Sequence, residues 1–155
     1  MTGNAAPSSP VAPYLMISDA NAAIEWYQQA FGAVEIGRMA APDGKKLIHA
    51  AITINGGLVM MSDDFPEFNS GRAGTPEALG GSPVVIHLDL PDVDAVWNQA
   101  VDAGATITMP LEDQFWGDRY GQLTDPFGHR WSLATKKTMP SNDEMRAGME
   151  QAFQQ

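Results

Sequence analysis

His49, His87 and His129 are the only imidazoles in this 155-residue chain, which has no cysteine. Thiolate metal sites, cysteine nucleophiles and disulfides are therefore excluded, and proton transfer near neutral pH falls to those imidazoles or to carboxylates and phenols in perturbed settings. His49 sits inside KLIHAAITI (46–54), a strand-like run, and is the leading candidate for acid–base work, with Tyr14 in VAPYLMIS (11–18) as a second proton-transfer group. The plain alternative for His49 is a hydrogen-bonded structural histidine. His129, in DPFGH (125–129), reads as a turn residue, and His87 as an outward-facing one.

A second concentration of chemistry is QFWGDRYG (114–121). Aromatic faces stack planar ligands, so Trp116 and Tyr120 are ligand-contact candidates, and the Trp116 indole N–H is a potential donor. Arg119 suits binding an anionic group or stacking on a ring, the structural alternative being that Asp118 and Arg119 serve a local turn while Trp116 plugs the cleft end; Asp118 reads as the organiser of the loop. There is no serine–histidine–aspartate spacing, phosphate loop or dinucleotide fingerprint; NGG (55–57) and GG (80–81) are turn glycines.

The elements that must position these residues come as a pattern stated twice. VAPYLMIS reads as a strand, followed by Asp19 as N-cap, an apolar stripe at Ala20, Ala23, Ile24, Tyr27 and Phe31, and Gly32 as the stop. VEIGRMA (34–40), KLIHAAITI and LVMMS (58–62) read as strands, the last two joined at Asn55-Gly56, a strong hairpin signal. The pattern then restarts. PVVIHLDLP (83–91) is a strand, Asp92 caps a helix striped by Val93, Val96, Trp97, Ala100 and Ala103, and Gly104 follows it. ATITMP (105–110), QFWGDRYGQLTD (114–125) and HRWSLAT (129–135) complete the second set. The interval from Asp19 to Asp92 and that from Gly32 to Gly104 differ by one residue, so the chain is an internal duplication of a β-α-β-β-β unit. Two half-sheets of this kind more naturally close around a shared space than stack into an array.

These elements give a single domain over 11–136, with module one at 11–63, a linker at 64–82 and module two at 83–136. Residues 1–10 read as a disordered leader, and 137–155 as a tail helix. That helix starts in a capping box at Ser141 and Glu144, and its stripe of Met145, Met149, Ala152 and Phe153 suits docking against either its own body or a second subunit. A hydrophobic fraction of 44% and a charged fraction of 18% are globular values. The formal charge of −10, with no basic cluster, argues against nucleic acid as a partner. No stretch is long and apolar enough to cross a membrane, and a cytoplasmic location is expected.

The stretches DVDAVWNQAVDAGA (92–105), EDQFWGDRYG (112–121), DPFGHRWSLAT (125–135) and IHAAITINGG (48–57) resemble the vicinal-oxygen-chelate superfamily. Within it the resemblance is to the PhnB-like, glyoxalase/bleomycin-resistance type. It implies an α+β fold of two tandem βαβββ modules whose curved mixed sheets enclose a cleft, commonly in a homodimer. It does not imply one activity, since the fold hosts metal lyases, dioxygenases and metal-free drug-binding proteins. Metal-dependent members carry ligands on the first and last strand of each module, and in register those places fall on Ala12, Met60, Ile86 and Ser132. None of the four supplies the carboxylate or imidazole donors of the usual site, so no metal or other cofactor is expected. The related branch often has a Glu two positions after the histidine, where this chain has Ala51.

By strand alternation the cleft would be lined by Ala12, Tyr14 and Met16, by Met60 and Ser62, by Val84, Ile86 and Leu88, and by Arg130, Ser132 and Ala134. The expected function is binding of a small, largely apolar or aromatic molecule in that cleft without a metal centre. Its expected contacts are Tyr14, Met60, Trp116, Arg119, Tyr120, Arg130 and Ser132. One alternative is a metal-dependent lyase or dioxygenase holding Zn, Ni, Mn or Fe through unconventional ligands. Another is metal-free catalysis with His49 or Tyr14 as the proton-transfer group. An enzyme of this superfamily would be of lyase or isomerase type.

Overall fold

The computed structural model describes residues 9–155, so most of the leader expected over 1–10 lies outside the described residues. The first module comprises β1 (Tyr14–Ile17), α1 (Ala20–Phe31), β2 (Val34–Ala40), β3 (Leu47–Ile54) and β4 (Gly57–Asp63). A single 3-10 turn (Pro66–Phe68) and the one-turn α2 (Pro76–Leu79) follow. The second module comprises β5 (Val85–Asp89), α3 (Val93–Asp102), β6 (Thr106–Asp113), β7 (Asp118–Thr124) and β8 (Arg130–Lys136), and α4 (Asn142–Ala152) ends the chain. The sheets have orders β1-β4-β3-β2 and β5-β8-β7-β6. In each, the first strand pairs in parallel and the rest are antiparallel, giving the expected mixed α+β modules.

Local chemistry sets the helix and turn positions. Asp19 accepts from the Ala22 N–H and Asp92 from the Ala95 N–H, while Gly32 closes α1 in the left-handed region. Asn55 and Gly56 both have positive φ, as the tight hairpin between β3 and β4 requires. The duplication extends to how the helix starts are satisfied. Asp63, at the end of β4, accepts the Ala20 N–H at 3.0 Å, and Thr135, near the end of β8, accepts the Val93 N–H at 2.9 Å.

The expected linker at 64–82 is more ordered than a bare connection. Thr75 caps α2 and Pro76 occupies its first turn, and the buried Pro76 packs beneath Gly128, where an added Cβ would come within 2.6 Å. One turn of helix is too short to leave a periodic signature in the sequence. β7 begins at Asp118 rather than Gln114, because residues 114–117 form a turn closed by the Gly117 N–H on the Gln114 carbonyl. β6 runs through Pro110 to Asp113, which an edge strand with irregular register tolerates.

The two modules share one hydrophobic core. Tyr27, Ile24, Trp131, Leu123 and Leu133 are fully buried, and Tyr27, Phe31 and Trp131 pack ring on ring. Across the modules, the Trp26 indole donates to the Ala103 carbonyl at 2.8 Å and the Asn55 amide to the Asp89 carbonyl at 2.8 Å. At the centre lies the buried Asp125 carboxylate. It accepts from the Tyr27 hydroxyl, the Trp131 indole (2.8 Å), the Phe127 N–H (2.9 Å) and the His129 N–H (3.0 Å).

Burial, followed by the adjacent Asp125 carboxylate, pushes ionisation of the Tyr27 phenol well above 10.0. The unfolded phenol ionises near 10.0 while the folded one keeps its proton, so this contribution to stability is full below that pH and is lost above it. Thermal melts taken from pH ~9 to pH ~11 should therefore show a Tm that falls more steeply in the parent than in Tyr27→Phe, which is less stable at neutral pH. Parallel slopes in the two proteins would remove Tyr27 from the alkaline limit.

α4 carries its capping box as expected, with Ser141 accepting the Glu144 N–H and the Glu144 carboxylate accepting the Ser141 N–H. Of the two docking modes open to its stripe, burial against the chain's own body is not the one seen. The contact is made by Gly148, which lies so close to Phe115 that an added Cβ would come within 2.5 Å, while Met149 and Phe153 are 46% and 86% exposed. Among the described residues no helix is long and apolar enough to cross a membrane.

Candidate functional site

Each sheet buries one face under its helix and leaves the other free of helices. On β1, Leu15 and Ile17 enter the core, so Tyr14 and Met16 lie on the helix-free face, opposite their β4 partners Met60 and Ser62. His49 on β3 shares this face. Its Nδ1 is 3.2 Å from the Tyr14 hydroxyl, with the rings tilted at 46°. The two candidate proton-transfer residues are thus brought into direct contact.

In the second sheet the facing of β5 is the reverse of that expected. Ile86 pairs with Trp131 and packs on the core with Leu88, whereas His87 pairs with Ser132 on the helix-free face. The His87 Nδ1 is 2.7 Å from the Ser132 hydroxyl and its Nε2 is 3.1 Å from Asp89 Oδ1. The family positions projected onto Ala12 and Ile86 therefore need correction in the second module: the residue beside Ser132 is His87. The cause is visible in PVVIHLDLP, where Val84, Val85 and Ile86 are all apolar and either parity could face the core.

His87 heads a connected row. Tyr120 stacks on it with centroids 6.1 Å apart at 19°, and Trp116 meets Tyr120 edge-on at 5.4 Å. The Gln122 amide donates to the Tyr120 hydroxyl at 2.8 Å, and Arg130 reaches the Gln122 side-chain oxygen at 3.5 Å. Trp116, Tyr120, Arg130 and Ser132 thus come together, although the Trp116 indole N–H is engaged by Asp118 at 3.0 Å, which is the loop-organising role expected of that aspartate. Gln122 was not among the expected contacts; its signal was its parity with Tyr120 along β7.

Arg119 lies elsewhere. Its Nε donates to both Asp94 oxygens at 3.0 Å and its Nη1 to Asp113 at 3.3 Å, tying α3 to the β6–β7 hairpin. Asp94 first, and then Asp113, raise its pKa further. Its neighbour Tyr120 faces the site, and strand alternation turns Arg119 the other way. His129 is not a free turn residue either: its Nε2 lies 2.9 Å from the Met16 carbonyl, bridging the modules.

The sheets do not close on one another. β1 and β5 are edge strands of separate sheets, and an open cavity of about 480 Å³ lies between them. Val11, Ala12, Pro13, Leu15, Met16, Val84 and Ile86 make most of its wall, with Tyr14, Ser82 and His129 as its polar groups, so Ala12, Tyr14, Met16, Val84 and Ile86 of the expected lining do meet it, Ile86 while also packing on the core. Of the expected ligand contacts only Tyr14 lines it directly, and Met60 pairs with Tyr14 on the sheet.

A divalent metal does not fit this donor set. Tyr14, Met60, His87 and Ser132 offer a phenol, a thioether, an imidazole and a hydroxyl, His49 and Asp89 add one donor each beside Tyr14 and His87, and among the described residues no three histidine, aspartate or glutamate side chains cluster to hold an ion.

A family profile described as the Glyoxalase/Bleomycin resistance protein/Dioxygenase superfamily matches residues 10–133. The Mycobacterium bovis protein Mb0911c is 52% identical over 139 residues, covering 90% of this chain and 91% of that one. The crystal structure of TioX from Micromonospora sp. ML1 is similar at 28% identity with a TM-score of 0.64, covering 83% of this chain and 99% of TioX. A PhnB protein from Bacillus cereus, at 21% identity and a TM-score of 0.63, covers 82% of this chain and 99% of that one and has the same fold.

Proposed function

Since the chain belongs to the Glyoxalase/Bleomycin resistance protein/Dioxygenase superfamily, a fold on which function resides in the site, we propose that it binds a small, largely apolar or aromatic molecule without a metal centre. The observation that carries this reading is the cavity of about 480 Å³ between β1 and β5, apolar over most of its wall with a few polar groups to orient a ligand. The donor set described above supports the metal-free part. Elemental analysis of protein purified without chelator is expected to find only substoichiometric Zn, Ni, Mn and Fe, and a tightly held equivalent of any of them would overturn it.

N-phenyl-1-naphthylamine, a neutral probe that fluoresces in apolar surroundings, should bind in a saturable one-to-one manner. Ala12→Trp, which fills the cavity from the segment before β1, should weaken that binding by about tenfold or more with the thermal melt unchanged. Unchanged probe affinity in that variant would move binding out of the cavity. The homodimer common in the family belongs to the same reading, and light scattering should return about twice the 16.7 kDa chain mass.

A second reading rests on the 3.2 Å contact between Tyr14 and His49, which is within reach for proton transfer on a bound molecule. On that reading His49→Gln keeps probe binding and loses turnover of any substrate found. Retained turnover would leave His49 a structural partner of Tyr14.

A further inference from the structure

Building on the ligand-binding reading, we propose that the ligand carries a single carboxylate and that Arg130 is the residue that recognises it. Five arginines occur in the chain. Arg38 is paired with Glu35 and Arg119 with Asp94 and Asp113, while Arg72 and Arg146 are exposed to solvent. Arg130 is half-buried and, among the described residues, has no ion pair, in a chain with 19 acidic residues against nine basic ones. Its guanidinium meets only two neutral acceptors, the Ser82 carbonyl at 3.4 Å and the Gln122 side-chain oxygen at 3.5 Å. Both contacts are longer than an ordinary N–H···O bond of about 2.9 Å, so much of its donor capacity is unspent.

Its sheet neighbours are uncharged. On the sheet Arg130 is flanked by Val85 of β5 and Thr124 of β7. A permanently charged group that is partly desolvated and has no counter-ion costs free energy, and that cost is offset when a ligand anion completes the pair. Arg130 is not itself part of the cavity wall but reaches its edge: Ser82, whose carbonyl accepts from Nη1, is one of the lining residues. A ligand with its apolar body between β1 and β5 therefore has its polar end at the guanidinium fork, whose planar geometry matches a carboxylate. One cation among neutral groups suits a monoanion; a phosphate dianion would leave a charge unpaired.

The test displaces N-phenyl-1-naphthylamine with 2-naphthoate and with 2-naphthamide, which share shape and differ in charge. The acid is expected to compete about tenfold better than the amide in the parent protein, a gap that narrows as salt is raised. Arg130→Met should abolish the gap while leaving the neutral probe and the amide binding as before, and Arg130→Lys should retain part of it. Equal competition by acid and amide in the parent, no competition by either, or a preference for the acid that survives in Arg130→Met would each overturn the carboxylate assignment and leave the apolar-ligand reading standing. Failure of the neutral probe to bind the parent would overturn the apolar-ligand reading itself, and this inference with it.

Discussion

Asp125→Ala is expected to lower the unfolding free energy by about 3–5 kcal/mol, a large share of the ~5–15 kcal/mol that holds an ordinary domain folded. The carboxylate is 4% exposed and accepts four hydrogen bonds, two from the fully buried side chains of Tyr27 and Trp131. Without it those two donors stay buried with no acceptor, at about 1–3 kcal/mol each, and the side chain leaves a void. Asp125→Asn isolates the polar component at constant shape. Its oxygen can still take the Phe127 and His129 N–H groups, but its NH2 then confronts the Trp131 N–H, donor against donor. Urea unfolding should show the midpoint falling for both variants at similar m, with alanine lower. An unfolding free energy for Asp125→Ala within about 0.5 kcal/mol of the parent would mean that the network does not hold the modules together.

Gly117→Ala is expected to be nearly as costly, about 3 kcal/mol, for a steric reason. Gly117 has φ +102°, a conformation L side chains rarely adopt, and an added Cβ would lie 2.2 Å from the Thr138 carbonyl oxygen and 2.8 Å from Pro140. The Gly117 carbonyl also takes the N–H groups of Lys137 and Thr138 at 2.8 and 3.0 Å, so the glycine seats the segment leading into α4. Moving that segment disturbs Phe115, against which Gly148 of α4 packs, and Trp116, which abuts Tyr120. Near-ultraviolet circular dichroism and Trp fluorescence should change, and limited proteolysis should cut between β8 and α4 faster than in the parent. An unchanged cleavage rate would show that the tail is held by contacts other than Gly117.

Much of the fold was legible because its signals are local. Asp19, Gly32 and Asp92 act on backbone groups within four residues of themselves, and Asn55-Gly56 sets its own hairpin. The repeat of those signals exposed the duplication, which the sheet orders repeat strand for strand. The site was less legible. Strand parity puts Tyr14 and His49 on one face, but Trp116 reaches Tyr120 from the 114–117 turn, and of the two roles open to Arg119 the structure shows the structural one, on the other side of β7.

The sequence by itself determined where the longer helices, the β3–β4 hairpin and most strands form, and that the chain holds no thiol. Only the tertiary structure decided the facing of β5 and hence that His87 rather than Ile86 meets Ser132. It also decided that His129 bridges the modules, and that Arg130 meets the Ser82 carbonyl and, among the described residues, makes no ion pair. The physical reason is common to all three. Caps and turns are settled by backbone hydrogen bonds a few residues apart, whereas facing and partners depend on pairings between strands tens of residues apart, where a shift of one position exchanges the two faces.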